Sequence, residues 1–314
     1  MNEITEFLKK ERNNPFRNIF ILADKKRKAF ALLICFLKGE LSFKEFLESL
    51  IPVNYRSTYI SLKRQKVINK NIFDYLYKKG FISESGYLKL LGNPFYFTNL
   101  EDALGSITEL IVYDEYDASK IVKEDFVILD IGANIGVFSV FCANLARNGI
   151  IYAFEPVSEA YKILEKNSSF YKNIKPINKG LGEKREKKEI FIRSWVLGYS
   201  TIDLDEIGRR KESFDKSEEI DLISLDEFVA SNSFSKIDFI KIDVEGYEIK
   251  VLKGGVNTLK KFKPIVAISL HQRRFAEIIK DFVQRYFLDI YEIISSSKNS
   301  NDIFLFPKNE KIAR

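Results

Sequence analysis

An acid and two glycines stand together at the end of a short apolar run near the middle of the chain. The run Val127 to Ile131 contains Asp130 and leads into the loop Gly132 to Gly136. Glycine lets a backbone approach a ligand closely, and a helix that follows presents unpaired amide groups at its N-terminus. The segment predicts a cofactor-binding loop in which Asp130 orients the amino-acid end of a ligand, directly or through water. An ordinary tight turn between a strand and a helix is the alternative.

A second carboxylate follows the next apolar run. Glu155 comes directly after Ile150 to Phe154 and lies 19 residues beyond Gly136. In Rossmann-like folds an acid at this position accepts hydrogen bonds from the ribose hydroxyls of an adenosine cofactor. A nicotinamide cofactor would share the acid but would require a third loop glycine for its diphosphate. With only Gly132 and Gly136 present, the pattern favours an adenosine cofactor without a diphosphate, namely S-adenosylmethionine.

A third group of acids follows the apolar run Phe239 to Ile242, and it includes Asp243 and Glu245. Because the carboxyl ends of parallel strands line one crevice, we expect Asp130, Glu155 and Asp243 to converge there. Glu245 either lines this crevice or caps or solvates the next helix, and both interpretations stay open. The acids lack a diagnostic metal-ligand spacing, so no metal site is predicted.

The elements that must position these residues change character along the chain. From residue 126 onward, short β-rich runs alternate with helix-like stretches, which is typical of βαβ units and a largely parallel sheet. A polar insertion with one further strand and a loop near Gly208 interrupts this alternation. The predicted strands are Phe126–Ile131, Ile150–Phe154, Ile174–Asn178, Glu186–Arg193, Phe239–Ile242 and Ile265–Leu270, followed by a terminal hairpin of Phe287–Ile294 and Asp302–Phe306.

Residues 1–91 show apolar residues at helical spacing and are predicted to form an N-terminal helical region. Residues 92–121 are predicted to be connecting strands, at Phe95–Thr98 and Ile107–Tyr113, and residues 122–314 the cofactor-binding domain. Residues 1–100 carry 18 Lys or Arg against 9 Asp or Glu, although the net charge of the whole chain is +6. This asymmetry predicts an acidic or phosphate-bearing partner for the N-terminal region; a solvated basic face is the alternative.

The composition, with 46% hydrophobic and 30% charged residues, is that of a globular chain. No apolar run approaches the ~20 residues of a transmembrane helix. The first residues mix acids and bases and do not resemble an export signal, so we expect a cytoplasmic protein; a peripheral location at a membrane surface is the alternative. Cys35 and Cys142 lack the spacing of a zinc site and are predicted to be buried free thiols.

Three segments, DIGANIG, AFEP and KIDVEGYEIKVLKGG, together with LDEF shortly before the third, resemble the FkbM-type family of S-adenosylmethionine-dependent methyltransferases. The resemblance covers about residues 122–306 and implies an α/β class I methyltransferase fold, with a Rossmann-like seven-stranded sheet. It also implies methyl transfer to oxygen, commonly a hydroxyl of a sugar, glycan or polyketide. The predicted cofactor-binding residues are Asp130, Gly132, Asn134, Gly136, Glu155 and Asp243.

An alcohol acceptor is a weak nucleophile, so a positioned base would accelerate methyl transfer. His271, the single histidine of the chain, follows Ile265 to Leu270 and is one candidate. Asp243 and Glu245 are the others, and His271 has hydrogen bonding to substrate or a structural role as alternatives. Two other classes of function stay open at this point: a nicotinamide-dependent oxidoreductase, and an RNA-directed or non-catalytic nucleotide-binding protein.

Overall fold

The computed structural model describes residues 87–194, 197–202, 214–270, 273–295 and 302–308. The predictions for residues 1–86, Cys35, the loop near Gly208 and His271 therefore lie outside the described residues. The chain divides into two compact units, residues 1–113 and 114–314, which are described separately. Within the described residues, no helix is both long and apolar enough to cross a membrane.

The described part of the first unit begins with a β-hairpin. Strands β1 (Tyr87–Leu90) and β2 (Asn93–Tyr96) pair antiparallel around Leu91 and Gly92, which both have positive φ. The prediction of helix up to residue 91 is therefore wrong for β1. A two-residue turn with two positive φ values matches the twist of the flanking strands, which explains why a hairpin forms here.

A helix, not a strand, follows the hairpin. Helix α1 (Leu100–Ile107) continues into a π-helical turn at Thr108–Val112, so the predicted strand Ile107–Tyr113 is wrong. Ala103, Ile107 and Ile111 are fully buried and recur every four residues, which is the period of one helical face. The short apolar run that suggested a strand is thus part of a longer helical pattern.

The second unit is built on a mostly parallel seven-stranded sheet. Five neighbouring strands run parallel, and a terminal antiparallel hairpin adds two more at one edge. The predicted Rossmann-like sheet and its hairpin are confirmed, although residue 287 ends a helix and the hairpin starts at residue 291. In order across the sheet the strands are β11 (Tyr291–Ser295), β12 (Ile303–Pro307), β10 (Ile265–Ile268), β9 (Phe239–Ile242), β3 (Val127–Ile131), β4 (Ile150–Phe154) and β5 (Ile174–Ile177).

Helices and a smaller sheet complete this unit. The central strands β9 and β10 are buried at every position, as expected for parallel strands covered on both faces. Cys142, in the helix Val137–Leu145, is a buried free thiol, as predicted. The helices are α2 (Ala118–Ile121), α3 (Val137–Leu145), α4 (Ser158–Ser168), α5 (Leu225–Ala230), α6 (Glu248–Gly254), α7 (Val256–Phe262) and α8 (Arg273–Phe287), and the smaller sheet has the order β6 (Gly180–Gly182), β8 (Lys216–Ser224) and β7 (Glu186–Ile192).

Candidate active site

Strand register brings an acid and a lysine together at the carboxyl end of the sheet. Asp130 of β3 lies directly opposite Lys241 of β9. Side chains alternate along a strand, so Asp243, two residues beyond Lys241, faces the same side. The Lys241 Nζ lies 3.0 Å from Asp130 Oδ1 and 3.5 Å from Asp243 Oδ2, and it also donates to the Gly132 carbonyl at 2.7 Å. The structure thus brings together Asp130 and Asp243, as predicted from the switch-point rule.

Asp130 is completely buried, and both of its carboxylate oxygens already have partners. Oδ2 accepts a hydrogen bond from Ser139 Oγ at 2.6 Å, on the first turns of α3, and Oδ1 accepts from Lys241. Asp130 therefore connects β3 to α3 and to β9 through these two hydrogen bonds. Its predicted contact with the amino-acid end of a ligand stays a prediction.

The loop after β3 needs glycine for a steric reason. Gly132 has a φ of +80°, and a Cβ built there would lie 1.9 Å from the backbone oxygen of Asp243. Gly136 has a φ of +93°, and its Cβ would meet a side-chain carbon of Leu164 on α4 at 2.7 Å. These positive φ values favour glycine strongly over residues with a Cβ. The loop is consequently pressed against β9 on one side and α4 on the other.

Glu155 is held at the end of β4 by backbone amides. Its Oε2 accepts from the Asn134 N–H at 2.8 Å, and its Oε1 accepts from the Val157 N–H at 2.9 Å. Burial raises the pKa of Glu155 to about 7, and the two backbone hydrogen bonds and the more distant Lys241 offset this only in part. Glu155 therefore changes its charge close to neutral pH, and each of its oxygens keeps acceptor capacity for a ligand hydroxyl.

Asn134 completes the loop and fits a ligand with hydrogen-bond donors. Its φ of +49° is left-handed, a conformation that asparagine tolerates better than most residues. Its side-chain Oδ1 is buried and has no hydrogen-bond partner within the described residues. A buried acceptor normally has a partner. The orphaned Asn134 oxygen and the Glu155 carboxylate therefore fit the adenosine portion of S-adenosylmethionine, which offers hydroxyl and amino donors.

Asp243 differs from Asp130 in exposure. Its side chain is 26% exposed, whereas that of Asp130 is 0% exposed. Tyr116, itself buried, donates its hydroxyl to Asp243 Oδ2 at 3.2 Å. Burial raises the pKa of Tyr116 well above its usual value, and the negative charge of Asp243 adds to the shift. Tyr116 therefore keeps its proton and donates a hydrogen bond to Asp243, which orients the Asp243 carboxylate. Of the two acids Asp130 and Asp243, only Asp243 is exposed enough for a substrate to reach.

A further acid, which the sequence reasoning missed, lies at the same edge of the sheet. Asp302 precedes β12, is buried, and accepts from Ser269 Oγ at 3.2 Å. Burial raises the pKa of Asp302 to about 9, and the negative charge and side-chain hydrogen bond of Glu115, then the charge of Asp243, act in the same direction. Asp302 therefore holds a proton at neutral pH.

The turn after Asp243 is stabilised by backbone contacts. Glu245 has a φ of +51°, and its carbonyl accepts from Thr201 Oγ1 at 2.8 Å. The Glu248 side chain accepts a hydrogen bond from the Gly246 N–H at 3.0 Å and so supports the turn at the start of α6. The segment that carries Thr201 also passes the cofactor loop, because a Cβ on Gly198 would lie 2.9 Å from the Asn134 amide nitrogen. Residues 197–202 thus connect the two sides of the site.

The catalytic residues proposed from the sequence are not tested by the described residues. His271 lies outside the described residues, so its role as a base stays a prediction, as do those of Asp243 and Glu245. In the part of the chain that the structure describes, no group of three His, Cys, Asp or Glu side chains could hold a metal ion. Lys241 and Tyr116 were missed as site residues. A lysine inside the otherwise apolar strand FIKI was the available signal for Lys241, since a charged residue in a buried strand requires a partner.

Comparison with known proteins finds methyltransferases among the relatives of this chain. Residues 130–300 match the model of the "Methyltransferase FkbM domain" family. The hexuronic acid methyltransferase AglP of Haloferax volcanii is 31% identical over 150 residues, which cover 48% of this chain and 57% of that protein. The 31-O-demethyl-FK506 methyltransferase FkbM of Streptomyces tacrolimicus is 27% identical, covering 41% of this chain and 58% of that protein. The chain therefore spans little more than half the length of these two relatives.

A solved structure is also similar. The methyltransferase FkbM of Methylobacillus flagellatus has a TM-score of 0.42 and 15% sequence identity, and the match covers 88% of this chain and 70% of that one.

Proposed function

Because the chain belongs to the FkbM methyltransferase family, we propose that it transfers a methyl group from S-adenosylmethionine to an oxygen atom of a sugar, glycan or related hydroxyl-bearing acceptor. The observation that carries this proposal is the buried Glu155 carboxylate, held by backbone amides beside the loop Gly132–Gly136. Such a carboxylate accepts from two ribose hydroxyls. The loop lacks the third glycine that a diphosphate would require, so methyl transfer is favoured over nicotinamide-dependent oxidation.

The oxygen acceptor is proposed from two relatives. One is named for a hexuronic acid and the other for an O-demethylated compound. The partly exposed Asp243, with Tyr116 and Lys241 fixing one of its oxygens, supports an acceptor site beside the cofactor loop. We further propose that the basic residues 1–91 recognise the acceptor or an acidic, phosphate-bearing partner, and that the protein acts in the cytoplasm.

The residues of the chain have two tasks in this reaction: they hold the cofactor, and they position and deprotonate the acceptor hydroxyl. Bound S-adenosylmethionine would supply an electrophilic methyl group on its sulfonium, with S-adenosylhomocysteine as the leaving group once the acceptor oxygen is methylated. Glu155 and Asn134 bind and orient the adenosine portion. Asp243 accepts a hydrogen bond from the acceptor hydroxyl and takes its proton as the new bond forms; Glu245 and His271 are the competing bases. Positioned bases of this kind contribute ~10² to 10⁴ in rate.

The test combines binding and transfer with the full chain. Calorimetry should detect S-adenosylhomocysteine binding and no NAD binding. Incubation with S-adenosylmethionine labelled in its methyl group should then transfer label to one member of a panel of free hexuronic acids, neutral hexoses and sugar phosphates, and mass spectrometry locates the methylated oxygen. Asp243→Asn should lower transfer, whereas Asp221→Asn, on the strand β8, should not. NAD binding, or label on nitrogen, would contradict the proposal.

A further inference from the structure

Lys241 is buried where strand β3, the loop Gly132–Gly136 and Asp243 meet. Only 2% of its side chain is exposed. Its ammonium has three N–H groups, and the structure gives it three oxygen partners: Asp130 at 3.0 Å, the Gly132 carbonyl at 2.7 Å and Asp243 at 3.5 Å. These partners belong to strand β3, to the cofactor loop and to the acceptor side. One side chain therefore contacts all three.

The charge of Lys241 is secured by the same partners. Burial lowers the pKa of Lys241, but the carboxylates of Asp130 and Asp243 outweigh it, so the pKa lies above the ordinary value for lysine. A buried ammonium beside two carboxylates keeps all three groups in defined positions, because moving one away leaves the others uncompensated. A displacement of Asp243 is thus opposed by the same ammonium that donates to the carbonyl of the loop residue Gly132.

We infer that Lys241 is a positioning residue that couples the cofactor loop to Asp243, so that cofactor binding and acceptor alignment depend on one ammonium. The inference rests on the proposed function and adds to it a residue that acts through others. A purely structural lysine would only neutralise the buried charge of Asp130. A positioning lysine also determines where the Gly132 carbonyl and the Asp243 carboxylate lie.

A structural role and a positioning role of Lys241 can be distinguished in variants that lack both Lys241 and the buried charge of Asp130. Asp130→Asn alone provides the reference, and Lys241→Met in that background leaves no buried pair to neutralise. Lys241→Gln in the same background is a second variant, which retains a hydrogen-bond donor of shorter reach. Lys236→Met is the matched control, because Lys236 bridges Asp125 at 2.6 Å and Asp238 at 3.3 Å just before the start of β9, away from the site.

The first measurement is the affinity for S-adenosylhomocysteine, by calorimetry on the full chain. We expect Asp130→Asn/Lys241→Met to bind at least tenfold more weakly than Asp130→Asn, and Lys236→Met to bind like the wild type. The second is turnover at saturating S-adenosylmethionine, with the sugar that accepts label from the wild type. We expect it to fall at least tenfold further in the double variant, because Asp243 has lost its ammonium.

Each contrary result has a distinct meaning. Equal affinity and equal turnover in the double variant and Asp130→Asn would overturn the inference while the proposed function stands. Weaker binding with unchanged turnover would overturn the coupling to Asp243. Failure of both double variants to fold, judged by circular dichroism, would assign Lys241 a structural role only. A wild type that binds no S-adenosylhomocysteine would instead overturn the proposed function itself.

Discussion

The protonation of Glu155 provides a quantitative test of the cofactor site. Its pKa of about 7 in the folded protein results mainly from burial. Ribose hydroxyls donate to a carboxylate, so the ligand binds the ionised form of Glu155 in preference. The apparent dissociation constant should then rise as pH falls below the pKa, by about tenfold per pH unit. Between pH 8 and pH 6 we expect about a tenfold loss of affinity, and between pH 8 and pH 5 about a hundredfold loss.

The contribution of Glu155 to the stability of the ligand-free protein should change in the opposite direction with pH. Because the pKa of Glu155 is raised above its ordinary value of 4.5, the folded state holds a proton that the unfolded state has lost. Stability from this group is fully present below pH ~4.5 and decreases as pH rises toward ~7, by about 3 kcal/mol. Lower pH thus increases the stability that Glu155 contributes to the empty protein while it weakens ligand binding. A general acid-induced loss of structure would not give opposite trends.

The assay is calorimetric titration of S-adenosylhomocysteine between pH 5 and pH 8 in buffers of different ionisation enthalpy. Binding at pH 7 should release about half a proton. Glu155→Gln should abolish this proton release and weaken binding at pH 8 by roughly tenfold to a hundredfold, because hydrogen bonds to a charged acceptor are lost. Glu165→Gln, on an exposed face of α4, is the control and should titrate like the wild type. A flat pH profile in the wild type would refute this account of the site.

Three further substitutions test the packing and hydrogen bonds of the site. Asp302→Asn should stabilise the protein in urea unfolding. Because the pKa of native Asp302 is about 9, the native state holds a proton between pH 5 and pH 8 that the unfolded state has lost. The substitution removes this cost, so the gain in stability should grow with pH by at most about 1.4 kcal/mol per pH unit. A residue with a Cβ in the left-handed backbone conformation costs ~1 to 2 kcal/mol. Gly132→Ala should destabilise the protein by well over this amount, because its Cβ would also meet the backbone of Asp243. Gly92→Ala is the control and should cost the backbone strain alone, because the space around Gly92 is open. Tyr116→Phe should cost ~1 to 3 kcal/mol of stability and lower transfer, because Asp243 loses its donor; unchanged transfer would count against orientation of Asp243 by this hydroxyl.

The sheet was predictable because its signal is local. Apolar, β-rich runs such as Phe239–Ile242 define buried parallel strands directly, and the spacing from Gly136 to Glu155 reflects one helix and one strand. The stretch Ile107–Tyr113 was mispredicted because a short apolar run fits a strand and a helix equally well. Its helical period emerges only when Ala103 is included.

The contacts of the site were less predictable than its strands. Lys241 and Asp130 are 111 residues apart, and their pairing depends on β9 lying next to β3 in exact register. Asp302 reaches the same edge only because the terminal hairpin returns antiparallel beside β10. Neither neighbour relation is encoded in local spacing. A polar residue inside a buried run indicates that a partner exists, but the topology determines which partner it is.

The two acids at the ends of β3 and β4 show how the partners of a carboxylate determine its task. Asp130 has an ammonium and a hydroxyl on its oxygens and is completely buried, so it serves the scaffold. The carboxylate of Glu155 is bound by two backbone amides and is also buried, and burial raises its pKa to about 7. A neutral acceptor is poorly suited to two ribose hydroxyls, whereas an ionised one is well suited. Ligand binding and ionisation of Glu155 are therefore linked, and the pH dependence of affinity reports directly on whether this residue holds the ribose.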